Sequence, residues 1–180
     1  MPFLILRFLN IAVDQFRWGG SVLATSDGTN LDVSPKGDPA GFVKIETGRT
    51  LLVPDRPGNS RIDGLLNILA HPKVALIFII PSVAETLRIN GTAEISDDPS
   101  LLDQFKINGR SPKTVLRIEA EEIFTHCGKA PIRAGLWKPE TWPKERPIAS
   151  MYEMIRDHSE MEVASTAQTY AEKRYRETLY

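Results

Sequence analysis

The sequence predicts a mainly β protein with α additions, an antiparallel barrel that is closed or partly closed. Two observations lead there. Six or seven short strand patterns follow one another through tight turns, with one helical pattern inserted after the fourth. The connections are too short for a parallel sheet, which needs a helix-length crossover between most strand pairs. Closing the antiparallel sheet on itself would also remove its exposed edges.

The elements read as follows. Ser21 to Thr25 is a strand, and Asp27-Gly28 is a hairpin turn pair. Leu31 to Ser34 returns, ending in a Pro/Gly-rich bend over Pro35–Pro39. Phe42 to Glu46 and Thr50 to Pro54 form a hairpin around Thr47-Gly48-Arg49. A helix follows over Ile62–Leu69, and His71-Pro72 stops it. Val74 to Ile80 is all apolar, which predicts a strand buried on both faces. From Glu85 to Ser96 the pattern alternates. Leu87, Ile89, Gly91, Ala93 and Ile95 face one way, and Thr86, Arg88, Asn90, Thr92 and Glu94 the other. Asp98 to Phe105 is a short helix capped by Asp98, with Pro99 at its first position. Lys113 to Phe124 is the last strand, and a polar-faced C-terminal helix occupies residues 150–180, with its pattern over Met151–Leu179.

Length and composition narrow the function. A chain of 180 residues is one domain, large enough to bury a real core. Its formal net charge of −1 argues against a broad nucleic-acid surface, which needs a clustered basic excess. A single cysteine, Cys127, allows neither an intrachain disulfide nor a cysteine-based zinc cluster, and it fits a reducing compartment. Met1 to Val13 reads MPFLILRFLNIAV, too short and too interrupted by Arg7 and Asn10 to span a bilayer. It lacks the layout of a signal peptide, so residues 1–20 are expected to form an N-terminal helical segment packed on the domain or a partner. The expectation is a soluble, cytoplasmic protein with no membrane partner.

The densest chemistry lies at Pro54-Asp55-Arg56-Pro57-Gly58-Asn59-Ser60-Arg61, which opens onto the helix. Ser60 with Asp63 matches a capping box. The free amides of the first turn and the positive helix end suit an anion, and Arg56 and Arg61 add forked donors matched to phosphate oxygens. The same residues also read as a solvated turn with two surface arginines. Elsewhere the signals are weak. No GxGxxG sits at a strand–helix junction, and no GxxxxGK[ST] loop occurs. His126 and Cys127 are neighbours on a strand and point to opposite faces, so they do not share a metal. His71 and His158 read as surface residues, and Glu119, Glu121 and Glu122 as a solvated strand edge. No metal site is expected and no catalytic side chain is assigned. An enzyme built on this chain would borrow its reactive group.

Four runs carry a family resemblance: Asp32–Pro39, Leu52–Asn59, Glu85–Gly91, and His126–Ala130 with Arg133 and Leu136-Trp137. In this order and spacing, across roughly residues 20–142, the chain resembles the FMN-binding split-barrel superfamily. Within it, the chain resembles probable FMN-dependent enzymes related to pyridoxamine 5′-phosphate oxidase. The resemblance implies a homodimer of six-stranded antiparallel split β-barrels with two FMN molecules at the subunit interface. It implies an FMN-dependent oxidoreductase acting on a small-molecule substrate or electron acceptor that the sequence does not name.

Carried over residue by residue, Arg61 would hold the FMN phosphate, within a turn that also supplies Pro54, Asp55, Arg56 and Asn59. Thr86 and Arg88 would meet the phosphate and the isoalloxazine edge. Ser34 and Lys36 would approach the flavin ring, and Lys129, Arg133 and Trp137 would come from the second subunit. Ser34–Asp38 departs from the Arg-x-Val-Leu-Leu-Lys strand of pyridoxamine phosphate oxidase proper, and that enzyme's C-terminal substrate-phosphate arginines have no counterpart after Trp137. Both departures point away from vitamin B6 phosphate as substrate. The alternative is a non-catalytic flavin- or haem-binding protein of the same fold, with His126 the candidate axial ligand. A blander one is a dimeric barrel that has lost its ligand.

Overall fold

A computed structural model describes residues 20–58, 61–159 and 167–179. The N-terminal segment, Asn59 and Ser60 lie outside the described residues. The chain forms two compact units, Met1–Trp137 and Lys138–Tyr180.

The first unit is an antiparallel sheet with helices. Its strands are β1 (Gly20–Ser26), β2 (Leu31–Gly37), β3 (Lys44–Ile45), β4 (Thr50–Asp55), β5 (Lys73–Phe78), β6 (Thr86–Ser96) and β7 (Thr114–His126). Helix α1 (Asp63–Ala70) follows β4, α2 (Pro99–Asp103) follows β6, and α3 (Lys129–Ala134) follows β7. The strands lie in the order β2-β1-β5-β6-β7-β4-β3. Two expectations are corrected here. There are seven strands rather than the six the resemblance implies, and the backbone ladder does not close, because β2 and β3 remain edges. Side chains bridge the gap where backbone does not: Lys36 on β2 pairs with Asp55 on β4 at 2.7 Å.

The β1–β2 hairpin forms where Asp27-Gly28 predicts it. The Asp27 carboxylate accepts from the backbone N–H groups of Asn30 and Thr29 and from the Asn30 side chain, and Gly28 takes a φ of 96°. The Asn30 and Thr29 bonds favour the charged carboxylate and lower its pKa to about 2. A depressed folded pKa contributes stability that is present above the unfolded value, about 3.9, and lost as pH falls toward 2. Urea midpoints measured between pH 5 and pH 2 should therefore fall more steeply for the wild type than for Asp27→Asn. Parallel curves would remove Asp27 from that window.

β2 runs on through Pro35 to Gly37 instead of bending at Pro35. An edge strand tolerates a proline because one side of its ladder is unpaired. β5 alternates rather than being buried on both faces: Val74, Leu76 and Phe78 are buried, while Ala75 and Ile77 are half-buried on the outer side. β6 keeps the expected alternation, with Leu87, Ile89, Gly91 and Ala93 inside. The inner faces meet in a core of Leu23, Leu51, Val53, Leu76, Leu87, Ile89, Leu116 and Ile118. A smaller cluster of Leu52, Phe105 and Val115 sits on the opposite face of β4 and β7, against Leu101 and Leu102 of α2.

Helix α2 is capped as expected, with the Asp98 carboxylate accepting from the Ser100 N–H and Pro99 in the first turn. The start of α1 differs. Ile62 is its N-cap and makes no side-chain cap bond, and Asp63 opens the helix; the expected capping box involves Ser60, which lies outside the described residues. The Asp63 carboxylate accepts from Arg61.

In the second unit, a 3-10 turn (Pro139–Thr141) precedes α4 (Met151–His158) and α5 (Ala167–Glu177). The expected single C-terminal helix is thus two. α4 ends at Ser159, whose φ of −135° and ψ of 64° leave the helical region, and it starts with a capping box between Ser150 and Glu153. Among the described residues no helix is long and apolar enough to cross a membrane.

Candidate functional site

Cross-strand partners in an antiparallel ladder share a face, so the register sorts the candidate residues. On β2, Ser34 pairs with the core residue Leu23, and Lys36 pairs with Ser21. Both therefore face inward. On β4, Asp55 continues the inward row of Leu51 and Val53, whereas Pro54 is buried on the Val115 side. The inward end of the β2–β4 seam is thus polar. The Ser34 hydroxyl donates to Asp32 at 3.0 Å, and Lys36 and Asp55 form their ion pair with side chains 21% and 18% exposed. Among the described residues the hydroxyl of Ser21 is buried with no hydrogen-bond partner, as is that of Thr114, whose strand partner is Asp55.

Just past this seam the turn arginines diverge. Arg56 donates through Nε to Asp38 at 2.7 Å and through Nη2 to the Phe105 carbonyl at 2.6 Å. The Asp38 side chain is only 2% exposed, so Arg56 neutralises a buried carboxylate. Arg61 is exposed and lies at the start of α1. It donates through Nε and Nη2 to the same Asp63 oxygen, at 2.8 and 2.6 Å. The Asp63 bonds and charge, with a further contribution from Asp32, push the Arg61 pKa up. Helix α1 is held over this corner by Asn67, which donates to Thr25 at 3.1 Å, and by Gly64, whose missing Cβ would lie 3.7 Å from Asp32 Oδ2.

The remaining candidates lie elsewhere. Arg88 pairs with Ile77 on one side and Phe124 on the other, and Ile77 pairs with Val22, which pairs with Pro35. This row is the outer face, opposite Ser34 and Lys36, and β6 is three strands from β2. The Arg88 guanidinium sits over the Phe124 ring, 5.0 Å from its centroid, a cation–π contact. Thr86 pairs with His126, where β7 ends, and α3 carries Lys129 and Arg133 onward from there. Two contacts clip the α3 segment to the loop before β6. The Trp137 indole N–H donates to the Val83 carbonyl at 2.7 Å, and Gly128 lies so close to Ala84 that an added Cβ would fall 2.4 Å from the alanine methyl. His126 and Cys127 are both exposed.

The structure therefore brings the candidates together in two groups. Ser34, Lys36, Asp55, Arg56 and Arg61 line the β2–β4 seam and the start of α1, while Thr86, Arg88, Lys129, Arg133 and Trp137 gather at the β6–β7 end. Pro54 belongs to the packing of the second core, and Asn59 lies outside the described residues. Sequence reading missed the counter-ions Asp32, Asp38 and Asp63, and the Phe124 platform under Arg88. The alternation of β6 and β7 carries a signal for Phe124, once their register is known.

The pyridoxamine 5′-phosphate oxidase family model matches residues 21–127, more than half of the chain. The chain belongs to that family. Every strand of the sheet falls within the match except Gly20 at its start. Among solved structures, an FMN-binding protein from Syntrophomonas wolfei subsp. wolfei matches with a TM-score of 0.52 at 11% identity, covering 69% of this chain and 88% of that one. HupZ of Group A Streptococcus matches with a TM-score of 0.50 at 19% identity, covering 66% and 91%. At these identities the likeness concerns the fold alone. No curated protein matches the chain significantly in sequence.

Proposed function

We propose that this family member is a cytoplasmic FMN-dependent oxidoreductase that binds the flavin between two copies of the chain. Membership of the pyridoxamine 5′-phosphate oxidase family is the observation that carries the reading. The residues fit the cofactor on chemical grounds. Arg61, at the start of a helix, offers forked donors to a single phosphate. The outer row of Pro35, Val22, Ile77 and Phe124, crossed by Arg88, offers an apolar surface to a planar ring. When bound, FMN would supply a hydride acceptor, and the protein's part is to hold and orient it. Arg61 would then anchor the phosphate, Thr86 and Arg88 would meet the phosphate and the ring edge, Ser34 and Lys36 would approach the ring, and Lys129, Arg133 and Trp137 would come from the second copy.

Two copies are proposed because Ser34 and Lys36 face inward on β2 while Arg88 faces outward on β6, three strands away, and a twofold axis can juxtapose one group from each chain. The surface supports it. Leu31 is 84% exposed and Val33 is 63% exposed on the same outer face, next to the half-buried Val22 and Ile77. Exposed apolar patches of this kind mark partner surfaces. The apolar β5 strand does not contribute its bulk, since Val74, Leu76 and Phe78 are buried within the chain.

Two measurements test the reading. Arg61→Ala should weaken FMN binding on the order of ten- to a hundredfold, as loss of a charge-assisted contact does, and should leave riboflavin nearly unaffected. A variant that binds both flavins as the wild type does would put Arg61 on an ordinary surface. Sedimentation across a dilution series should show a dimer that FMN tightens, because a ligand touching both chains favours association. A monomer holding one FMN per chain would refute the shared site. A Soret band in place of flavin absorption in the purified protein would replace FMN by haem, with the exposed His126 as its candidate ligand.

A further inference from the structure

We propose that Asp63 restrains phosphate binding at Arg61 and so sets how strongly the site discriminates FMN from unphosphorylated flavin. This rests on the reading that Arg61 meets the FMN phosphate. One oxygen of Asp63 takes both the Nε and the Nη2 hydrogens of Arg61, at 2.8 and 2.6 Å. That edge of the guanidinium is one a phosphate uses for two parallel hydrogen bonds. Asp63 is also the first residue of α1, so its carboxylate already occupies the positive end of the helix. A second carboxylate, Asp32, stands in the same corner. Its Oδ2 lies 3.7 Å from the position a Cβ would take at Gly64, and its charge acts on Arg61.

Among the described residues, Asp63 and Asp32 both act on Arg61, and an arriving phosphate competes with them for it. To bind, it must share or take the edge that Asp63 holds. Removing that charge while keeping the side chain's size should release the edge for the ligand. The effect acts through the phosphate alone, because riboflavin brings no charge to the corner. Asp63 is accordingly a specificity-determining residue that acts through Arg61.

The test is a fluorescence titration of FMN and riboflavin on the wild type, Asp63→Asn, Arg61→Ala and the double variant. Asp63→Asn should tighten FMN about one-and-a-half- to fivefold, the range set by an exposed charge interaction, with riboflavin affinity unchanged. The gain should vanish in the Arg61→Ala background. Asp63→Ser, also compatible with a helix start, should reproduce the shift should the asparagine variant fold poorly. An FMN affinity that stays the same or weakens in both variants overturns the proposal and leaves Arg61 as the phosphate ligand. Arg61→Ala with the wild-type ratio of FMN to riboflavin affinity overturns the phosphate reading itself, and this proposal with it.

Discussion

Replacing Gly91 by alanine should destabilise the protein by about 4 kcal/mol or more, the range reserved for steric insults to a packed backbone. The cause is space, not backbone angle. A Cβ at Gly91 would lie 2.0 Å from the Glu119 carbonyl oxygen and 2.9 Å from its carbon. Both atoms belong to β7's backbone and cannot swing aside as a side chain could. The site coincides with the register shift between Asn90 and Gly91, where Asn90 pairs with Glu122 and Gly91 pairs with Ala120, leaving Glu121 as the extra residue. Relief would require β6 and β7 to part in the middle of the sheet, beside Ile89 and Ile118, which are fully buried. Against a total stability of 5–15 kcal/mol typical of a domain (about that range), such a loss is large. Gly20→Ala provides the control, since nothing among the described residues lies within 4 Å of its Cβ position. Equal urea midpoints for the two variants would show that the strands yield at the bulge.

The second large effect is expected at Arg56. Arg56→Ala should cost about 3–5 kcal/mol, as the loss of one partner from a buried ion pair does. The Asp38 carboxylate, with its side chain 2% exposed, would lose its Nε donor, and the Phe105 carbonyl would lose a 2.6 Å donor. Arg56→Lys should fall between, retaining the charge but not the fork that reaches both acceptors. Replacing both members by apolar residues, as in Arg56→Met with Asp38→Leu, should recover much of the loss, because the desolvated charge disappears. Thermal and chemical unfolding of the flavin-free protein measures these differences. If Arg56→Ala leaves that stability intact and lowers FMN affinity instead, then Arg56 is a ligand residue and its pairing with Asp38 is incidental.

These two residues also mark what the sequence made legible. The alternation of Leu87, Ile89, Gly91 and Ala93 located β6 and the face it buries, because a period of two survives whatever the strand pairs with. It assigned Arg88 to the outer face for the same reason. Strand partners are a different matter. Nothing local says that β4 lies beside β7 or that the ladder stays open between β2 and β3, since those pairings join segments far apart in the chain. The all-apolar run at Val74–Ile80 misled because the outer positions Ala75 and Ile77 lie in an apolar row with Val22, and a partly covered face reads like a buried one. The arginines of the turn were visible as cations, but their roles were not. Arg56 reaches Asp38, eighteen residues upstream, and the Phe105 carbonyl, whereas Arg61 pairs with Asp63. At the start of α1 the local spacing gave no sign that Asp63 accepts from Arg61, two residues before it.

The sheet order has a consequence for synthesis on the ribosome. β4 finds its main neighbour in β7, Thr50–Asp55 against Thr114–Glu119, so Leu51 and Val53 complete their burial only when about 60 further residues have been added. At ordinary elongation rates that interval is on the order of 3–12 s. During it the emerging β1–β2 hairpin has β5 to pair with, and β5 has β6, but β4 has only the two-residue β3. A nascent chain of this family member therefore carries an apolar strand in waiting, and its vulnerability to aggregation or to chaperone capture ends with the arrival of β7.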